Sequence, residues 1–135
     1  MDNLSAVSRT AGSALQAQSE RLRIISENMA NADSTGLPGT DPYRRKVVTF
    51  SEMLDRDSGA HMVRVSSVSE DPAPMRLHYG PSDPSANEEG FVARSNVEPL
   101  VEMVNMREAA RSYEANLNML SAGRDMRRMM IDILG

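Results

Sequence analysis

The sequence predicts a mainly α-helical fold, in which long N- and C-terminal helices form a coiled-coil-like pair around a small, irregular, β-rich insert. Three observations favour this class. Both ends of the 135-residue chain carry apolar residues at alternating three- and four-residue spacing, which is the pattern of a coiled-coil seam. The middle instead carries Gly, Pro, Ser and Asp every few residues, which is typical of turns. We therefore expect one domain built from three segments, residues 1–35, 36–95 and 96–135.

The first predicted helix covers residues 2 to about 32. Asp2, Asn3 and Ser5 are candidate N-caps. The helix is expected to stop near Asn31, since Asn side chains bond well to the backbone groups freed at a helix end. Its predicted seam alternates two series: Leu4, Ala11, Gln18 and Ile25 with Ser8, Leu15, Leu22 and Met29.

The second predicted helix runs from Val97 to Leu134, with Asn96 as a candidate N-cap and Pro99 in its first turn. Its seam contains Met103, Met106, Ala110, Tyr113, Leu117, Leu120, Ile131 and Leu134, and is interrupted by Arg124 and Arg127. A second apolar series lies on a neighbouring face: Ala115, Met119, Ala122, Met126, Met129 and Ile133. One partner helix cannot cover both faces, so this helix is expected to have neighbours beyond its own chain.

These two helices supply the candidate subunit interface. Its members are apolar or small residues that recur at heptad spacing. They are Leu4, Ala11, Leu15, Leu22, Ile25, Met29, Met103, Met106, Ala110, Tyr113, Leu117, Leu120, Met126, Met129 and Ile133.

The segment between the helices contains short alternating or β-branched runs. Strands are predicted at residues 45–50, 61–68, 75–79 and 90–94. Because the apolar content of the segment is low, we expect it to pack weakly and to project outwards or lie along a partner.

Composition excludes several classes of protein. The formal net charge of −4 argues against nucleic acid as the main partner. With no Cys, the chain has neither a disulfide framework nor thiol chemistry. No apolar run approaches the roughly 20 residues needed to span a bilayer, so membrane insertion is not expected. The first ten residues lack the order of a cleaved signal peptide.

Residues capable of catalysis or ligand binding are scattered. His61 and His78 stand without the spacing of a metal site, and the carboxylates of the middle segment lie in turn sequences. No phosphate-binding glycine loop or nucleophile turn is present. We therefore expect no cofactor, no metal and no catalytic residues, and favour a structural or interaction protein over an enzyme.

Two motifs resemble the bacterial flagellar axial proteins, the family that includes the basal-body rod subunits. The first comprises Ser26, Asn28, Ala30, Asn31, Thr35, Tyr43, Arg44 and Arg45. The second includes Tyr-Gly-Pro-Ser-Asp-Pro from Tyr79, Glu-Gly-Phe-Val from Glu89, Ser-Asn-Val-Glu from Ser95, and the run from Glu102 to Asn116. The link at 36–42 is longer than the family commonly has.

The resemblance implies a structural subunit of the proximal rod, which polymerises through its terminal helices into a hollow helical shaft across the periplasm. The implied partners are copies of the chain, other rod subunits including an adaptor at the export-gate side and the distal rod, and the flagellar type III export apparatus in transit. Export would need no cleaved signal. Two alternatives remain open: a helical adaptor or chaperone that acts as a closed oligomer, and a small cell-wall hydrolase.

Overall fold

The computed structural model describes residues 3–135, so that the candidate N-cap Asp2 lies outside the described residues. Two helices stand at the ends of the chain, with four strands between them. Their bounds are α1 Asn3–Ala30, β1 Lys46–Asp55, β2 Ala60–Glu70, β3 Arg76–Tyr79, β4 Phe91–Arg94 and α2 Pro99–Leu134.

The predicted fold class is wrong, although helices do occupy both ends of the chain. The middle segment forms two antiparallel two-stranded sheets, β1–β2 and β3–β4. Strands β1 and β2 are 10 and 11 residues long. Strand β1 is longer than the predicted 45–50 because residues 51–55 continue it to the turn instead of forming a loop. In that turn Gly59 takes a φ of 72°, and its N–H donates to the Asp55 carbonyl at 2.7 Å. The chain therefore combines helices with antiparallel hairpins and is not mainly α.

The chain divides into two compact units, the first formed by Met1–Leu22, Thr49–Ser67 and Arg107–Gly135. In this unit, small residues bring the helices close: Ala11, Ala17 and Ala109 are buried. Helix α1 runs antiparallel to α2, since Arg21 pairs with Glu108 at 3.6 Å, while a Cβ at Gly123 would lie 3.6 Å from Ser8 Oγ.

The β1–β2 hairpin also contacts α1 within the first unit. The Val63 backbone N–H donates to Ser13 Oγ at 3.1 Å, and Arg9 pairs with Asp55 at 3.0 Å. The hairpin tip thus lies against the N-terminal part of α1.

The second unit is formed by Arg23–Val48 and Val68–Met106. Strands β3 and β4 pair with Arg76 opposite Arg94, Leu77 opposite Ala93, His78 opposite Val92, and Tyr79 opposite Phe91. The buried residues of this unit include Ile24, Ile25, Asn28, Ala32, Val92, Ser95, Asn96, Val97 and Glu102. Polar residues therefore form part of the core of this unit.

The structure agrees with the predicted end of α1 but not with the predicted N-cap of α2. Helix α1 ends at Ala30, and Asn31 Nδ2 donates to the Glu27 carbonyl at 2.8 Å, which confirms the predicted stop. Asn96, however, is not the N-cap of α2. The helix begins at Pro99, whereas the Asn96 side chain bonds to the backbone of Arg45 and of Asp71 and Ala73.

Across the described residues, neither helix has the combination of length and apolarity that crossing a membrane requires.

Candidate assembly surface and motif cluster

Asn28 lies at the centre of the first motif. Its side chain is 1% exposed and makes three hydrogen bonds. Oδ1 accepts from the Tyr43 hydroxyl at 2.7 Å and from the Lys46 backbone N–H at 2.9 Å, while Nδ2 donates to the Lys46 carbonyl at 2.9 Å. A buried amide satisfied in this way fixes the start of β1 against the end of α1.

The residues just after α1 hold the same loop from its other side. Ser34 Oγ accepts from the Tyr43 backbone N–H at 3.1 Å, and the Ser34 carbonyl accepts from the Ser95 N–H at 3.1 Å. Thr35 forms an isolated antiparallel bridge with Arg94. The motif therefore joins the end of α1 to β1 and to the end of β4.

A second set of contacts, the Arg45–Glu102 cluster, comprises Arg45, Asp71, Asn96 and Glu102. Arg45 Nε donates to Glu102 Oε1, and Arg45 Nη1 donates to Asp71 Oδ2 at 3.1 Å. The Arg45 backbone N–H donates to Asn96 Oδ1 at 2.7 Å. Glu102 is 0% exposed, and among the described residues no group donates a hydrogen bond to its Oε2. A buried carboxylate thus fastens the first turn of α2 to the motif.

The remaining motif residues take different positions. Arg44 donates from Nη1 to the carbonyls of Asp71 and Ala73, both at 2.9 Å, and from Nη2 to Asp41 at 3.2 Å. Ser26 and Ala30 are exposed on α1. Some of the motif residues therefore make contacts within the chain, whereas others are exposed.

Several pKa values reflect these contacts. Burial, reinforced by the carboxylates of Glu27 and Glu102, raises the pKa of Tyr43 to about 12. Burial by itself lowers the pKa of Arg45, but its bonds to Glu102 and Asp71 outweigh this and raise the pKa. The Ala73 N–H, and then Arg45, lower the pKa of Asp71 against the opposing effect of burial. The contacts thus favour the charged forms of Arg45 and Asp71.

We expect the free energy of unfolding to fall as the pH drops below about 4. A carboxylate whose pKa is lowered in the folded state stabilises the fold above its unfolded-state pKa, and this stabilisation is lost as the pH falls towards the folded-state pKa. The pKa values of Glu27, Asp55 and Asp71 are all lowered on folding. Urea unfolding between pH 3 and 7 measures the effect. Asp71→Asn should flatten the pH dependence and lower stability at pH 7, whereas Asp33→Asn, at an exposed position, should follow the parent chain. Equal slopes for the two variants would contradict this account.

Helix α2 carries a large exposed apolar surface, which we call the outer face of α2. Each of its members is more than a third exposed. They are Leu100, Val101, Met103, Val104, Leu117, Met119, Met126, Met129, Met130, Ile131, Ile133 and Leu134.

The candidate interface residues divide by burial. Exposed members are Met103, Ala110, Leu117, Met126, Met129 and Ile133; half-buried members are Leu4, Leu15, Leu22, Met29, Met106, Tyr113 and Leu120; Ala11 and Ile25 are buried. Most α1 members therefore pack within the chain, and the exposed members are all on α2.

The buried side of α2 is offset from the apolar pattern. Its buried residues are Glu102, Ala109 and Gly123, whereas the pattern favours Met103, Ala110 and Leu117. Glu102 and Ala109 each lie one residue before a member of the pattern, and one residue corresponds to about 100° around a helix. The spacing of apolar residues did not predict the buried side of α2, because an ion-paired Glu and small residues occupy the buried positions there.

The two histidines do not form a site. His61 Nδ1 lies 2.5 Å from Glu52 Oε1, and both side chains are exposed. His78 is exposed on β3. Within residues 3–135, no group of three or more His, Asp or Glu side chains is arranged to hold a metal ion.

Comparison with known proteins identifies the family. Residues 9–36 match the model of the flagella basal body rod protein family, and residues 88–133 match the flagellar basal body rod FlgEFG protein C-terminal model. The flagellar basal-body rod protein FlgC of Agrobacterium fabrum is 51% identical over 135 residues, covering 99% of this chain and 97% of the relative.

More distant relatives carry the same description. The FlgC proteins of Salmonella typhimurium and Bacillus subtilis are 44% and 37% identical. They match 86% and 91% of this chain, and 87% and 93% of their own lengths. The resemblance seen in the two motifs is confirmed, and the chain belongs to the FlgC family of flagellar basal-body rod proteins.

Proposed function

We propose that this chain is a structural, non-catalytic subunit of the flagellar rod and assembles by burying the outer face of α2 against neighbouring subunits. The observation that carries the proposal is the run of exposed apolar side chains from Leu100 to Leu134. Burial of apolar area contributes about 25 cal/mol per Å², so contacts repeated over several neighbours outweigh the entropy lost on assembly.

The motif cluster supports this function indirectly. Asn28 and the Arg45–Glu102 cluster fix the strands and loops to the start of α2. A helix fixed in this way presents its apolar side chains in one arrangement, which lowers the ordering cost of assembly.

The resemblance to axial proteins supports the finer parts of the proposal. These are a place in the proximal rod, a hollow helical shaft across the periplasm, contacts with the adaptor and the distal rod, and passage through the type III export apparatus. The α1 members of the candidate interface and the three-segment division remain predictions. No observation favours a closed-oligomer adaptor or a hydrolase.

Leu117→Asp tests the proposal. Leu117 is 46% exposed, so the variant should fold normally, but each neighbour contact would then bury an unpaired charge. We expect at least about tenfold fewer rods in purified basal bodies, which corresponds to about 1.4 kcal/mol. Loss of motility should accompany the loss of rods.

Asn118→Asp is the matched control, since it adds the same charge at an adjacent exposed position without removing an apolar side chain. It should assemble normally. Circular dichroism of both variants checks that the fold is kept. A motile strain carrying Leu117→Asp, with rods at wild-type number, would refute the proposed role of the outer face.

A further inference from the structure

The β3–β4 hairpin has an exposed apolar side that is separate from the outer face of α2. Directly opposed residues of antiparallel strands share a face, so the pairs Leu77–Ala93 and Tyr79–Phe91 lie on one side. Val92, at the intervening position, is 1% exposed and faces the core, whereas Leu77 and Tyr79 are 67% and 63% exposed. We call Leu37, Leu77, Tyr79 and Phe91 the hairpin patch.

The hairpin patch is a formed surface. The Tyr79 and Phe91 rings meet edge to face, with centroids 5.4 Å apart and planes at 67°. Gly90 has a φ of 88°, and a Cβ there would lie 3.0 Å from Tyr79 Cε1. A cavity of about 130 Å³ lies among Leu37, Leu77 and Phe91. The patch therefore combines exposed apolar side chains with a shaped recess, which polar residues such as Asn87 also line.

An acidic rim borders the patch. The turn at 80–90, which joins β3 to β4, contains Asp83, Glu88 and Glu89 and no basic residue. All three side chains are exposed. A partner that fits this surface is apolar at its centre and basic at its edge.

The C-terminal end of α2 has those properties. Arg124, Arg127, Ile131 and Leu134 recur at spacings of three and four residues and share one side of the helix; we call them the terminal stripe. Ile131 and Leu134 are 62% and 85% exposed. The acidic residues of this segment, Asp125 and Asp132, lie about 100° further round the helix.

Among residues 3–135, α1 does not reach the end of this stripe. Because Ser8 lies against Gly123 and the helices are antiparallel, the first described residue of α1, Asn3, falls near position 128. Ile131 and Leu134 therefore extend past the described part of α1. Ile131 and Leu134 continue the apolar seam of α2, but among residues 3–135 α1 has no further residue to pack against them.

We propose that the terminal stripe of one copy binds the hairpin patch of a second copy, so that Ile131 and Leu134 enter the recess and Arg124 and Arg127 face the acidic rim. This rests on the proposed rod function and specifies one contact within it. Such a contact joins two different surfaces, and when repeated it generates an open helical assembly rather than a closed dimer. It also accounts for the two arginines that interrupt the apolar seam.

Disulfide cross-linking tests the contact, because the chain contains no Cys of its own. One copy carries Leu77→Cys and a second carries Ile131→Cys, both produced alongside the parent chain so that rods still form. After mild oxidation of purified basal bodies, a product at twice the monomer mass should appear. Only Cys residues whose Cα atoms come within about 7 Å can be bridged, and a product from two singly substituted copies must be intermolecular.

The control pair is His78→Cys with Asp132→Cys, at exposed neighbouring positions that do not belong to the patch or the stripe. We expect at least tenfold less cross-linked product from this pair. Rods that contain the chain but give no more product from the test pair than from the control would overturn the contact and leave the rod function standing. Basal bodies that lack the chain altogether would instead refute the rod function.

A charge exchange gives an independent test. Glu88→Arg with Glu89→Arg, or Arg124→Glu with Arg127→Glu, should each lower the number of rods at least threefold. Combining all four substitutions in one chain should restore at least half of the rods, since every contact then regains opposite charges. No gain in the combined variant over the better of the two pairs would overturn the proposed orientation.

Discussion

Arg45→Ala should destabilise the second unit by about 3–5 kcal/mol, the cost typical of removing one partner from a buried ion pair. Glu102 is 0% exposed, and Arg45 is the side chain that bonds its Oε1. Without Arg45 the buried carboxylate loses the donor to its Oε1, and leaving a buried charge without its partner costs stability. Urea unfolding of the full chain at pH 7 measures the loss.

Two further variants distinguish this mechanism from a general loss of packing. Arg45→Met combined with Glu102→Leu removes both charges and should recover most of the lost stability. Arg44→Ala removes a neighbouring arginine that bonds carbonyls and the exposed Asp41, and should cost about 1 kcal/mol. If Arg45→Ala lost no more stability than Arg44→Ala, the buried pair would not hold α2 to the motif.

Asn28→Ala should cost about 2–4 kcal/mol, because it leaves the Lys46 N–H, the Lys46 carbonyl and the Tyr43 hydroxyl without the partner they have now. The amide is nearly fully buried, so water cannot readily replace it. Thermal unfolding followed by circular dichroism gives the shift. The Tyr43 pKa, about 12 in the parent chain, should also change, which a spectrophotometric titration of the tyrosines detects.

Asn31→Ala is the matched control for Asn28→Ala. Asn31 belongs to the same motif and is half-buried, but within residues 3–135 its side chain bonds only the Glu27 carbonyl. We expect it to cost about 0.5–1.5 kcal/mol. Equal losses for the two variants would show that the motif acts as a helix stop and not as a buried centre.

The sequence predicts the helices better than it predicts the motif, for a physical reason. The end of α1 depends on local residues, so spacing and side-chain chemistry predict the stop at Asn31, whereas the start of α2 does not follow the local candidate Asn96. The role of Asn28 depends on Lys46, 18 residues away, and local pattern cannot show which backbone groups a loop will bring back. The motif identified Asn28 without showing what it bonds.

Burial of Glu102 is the clearest case of a feature hidden from the sequence. A glutamate in the first turn of a helix ordinarily faces water and favours the positive end of the dipole. Its burial requires Arg45, which is 57 residues earlier. The same limit explains the fold class, because the weakly apolar segment at 51–55 forms a strand only through pairing across the β1–β2 hairpin.

The ion pair between Arg45 and Glu102 also constrains the order in which the chain folds. Asn28, Tyr43 and Lys46 lie within 18 residues of one another, so their contacts close a short loop at small entropic cost. The pair closes a loop of 57 residues and cannot form until the start of α2 is present. A chain extended from its N-terminus therefore carries Arg45 with an incomplete cluster until Glu102 arrives. Completion of the second unit therefore depends on a non-local contact, and contacts between residues far apart in sequence slow folding.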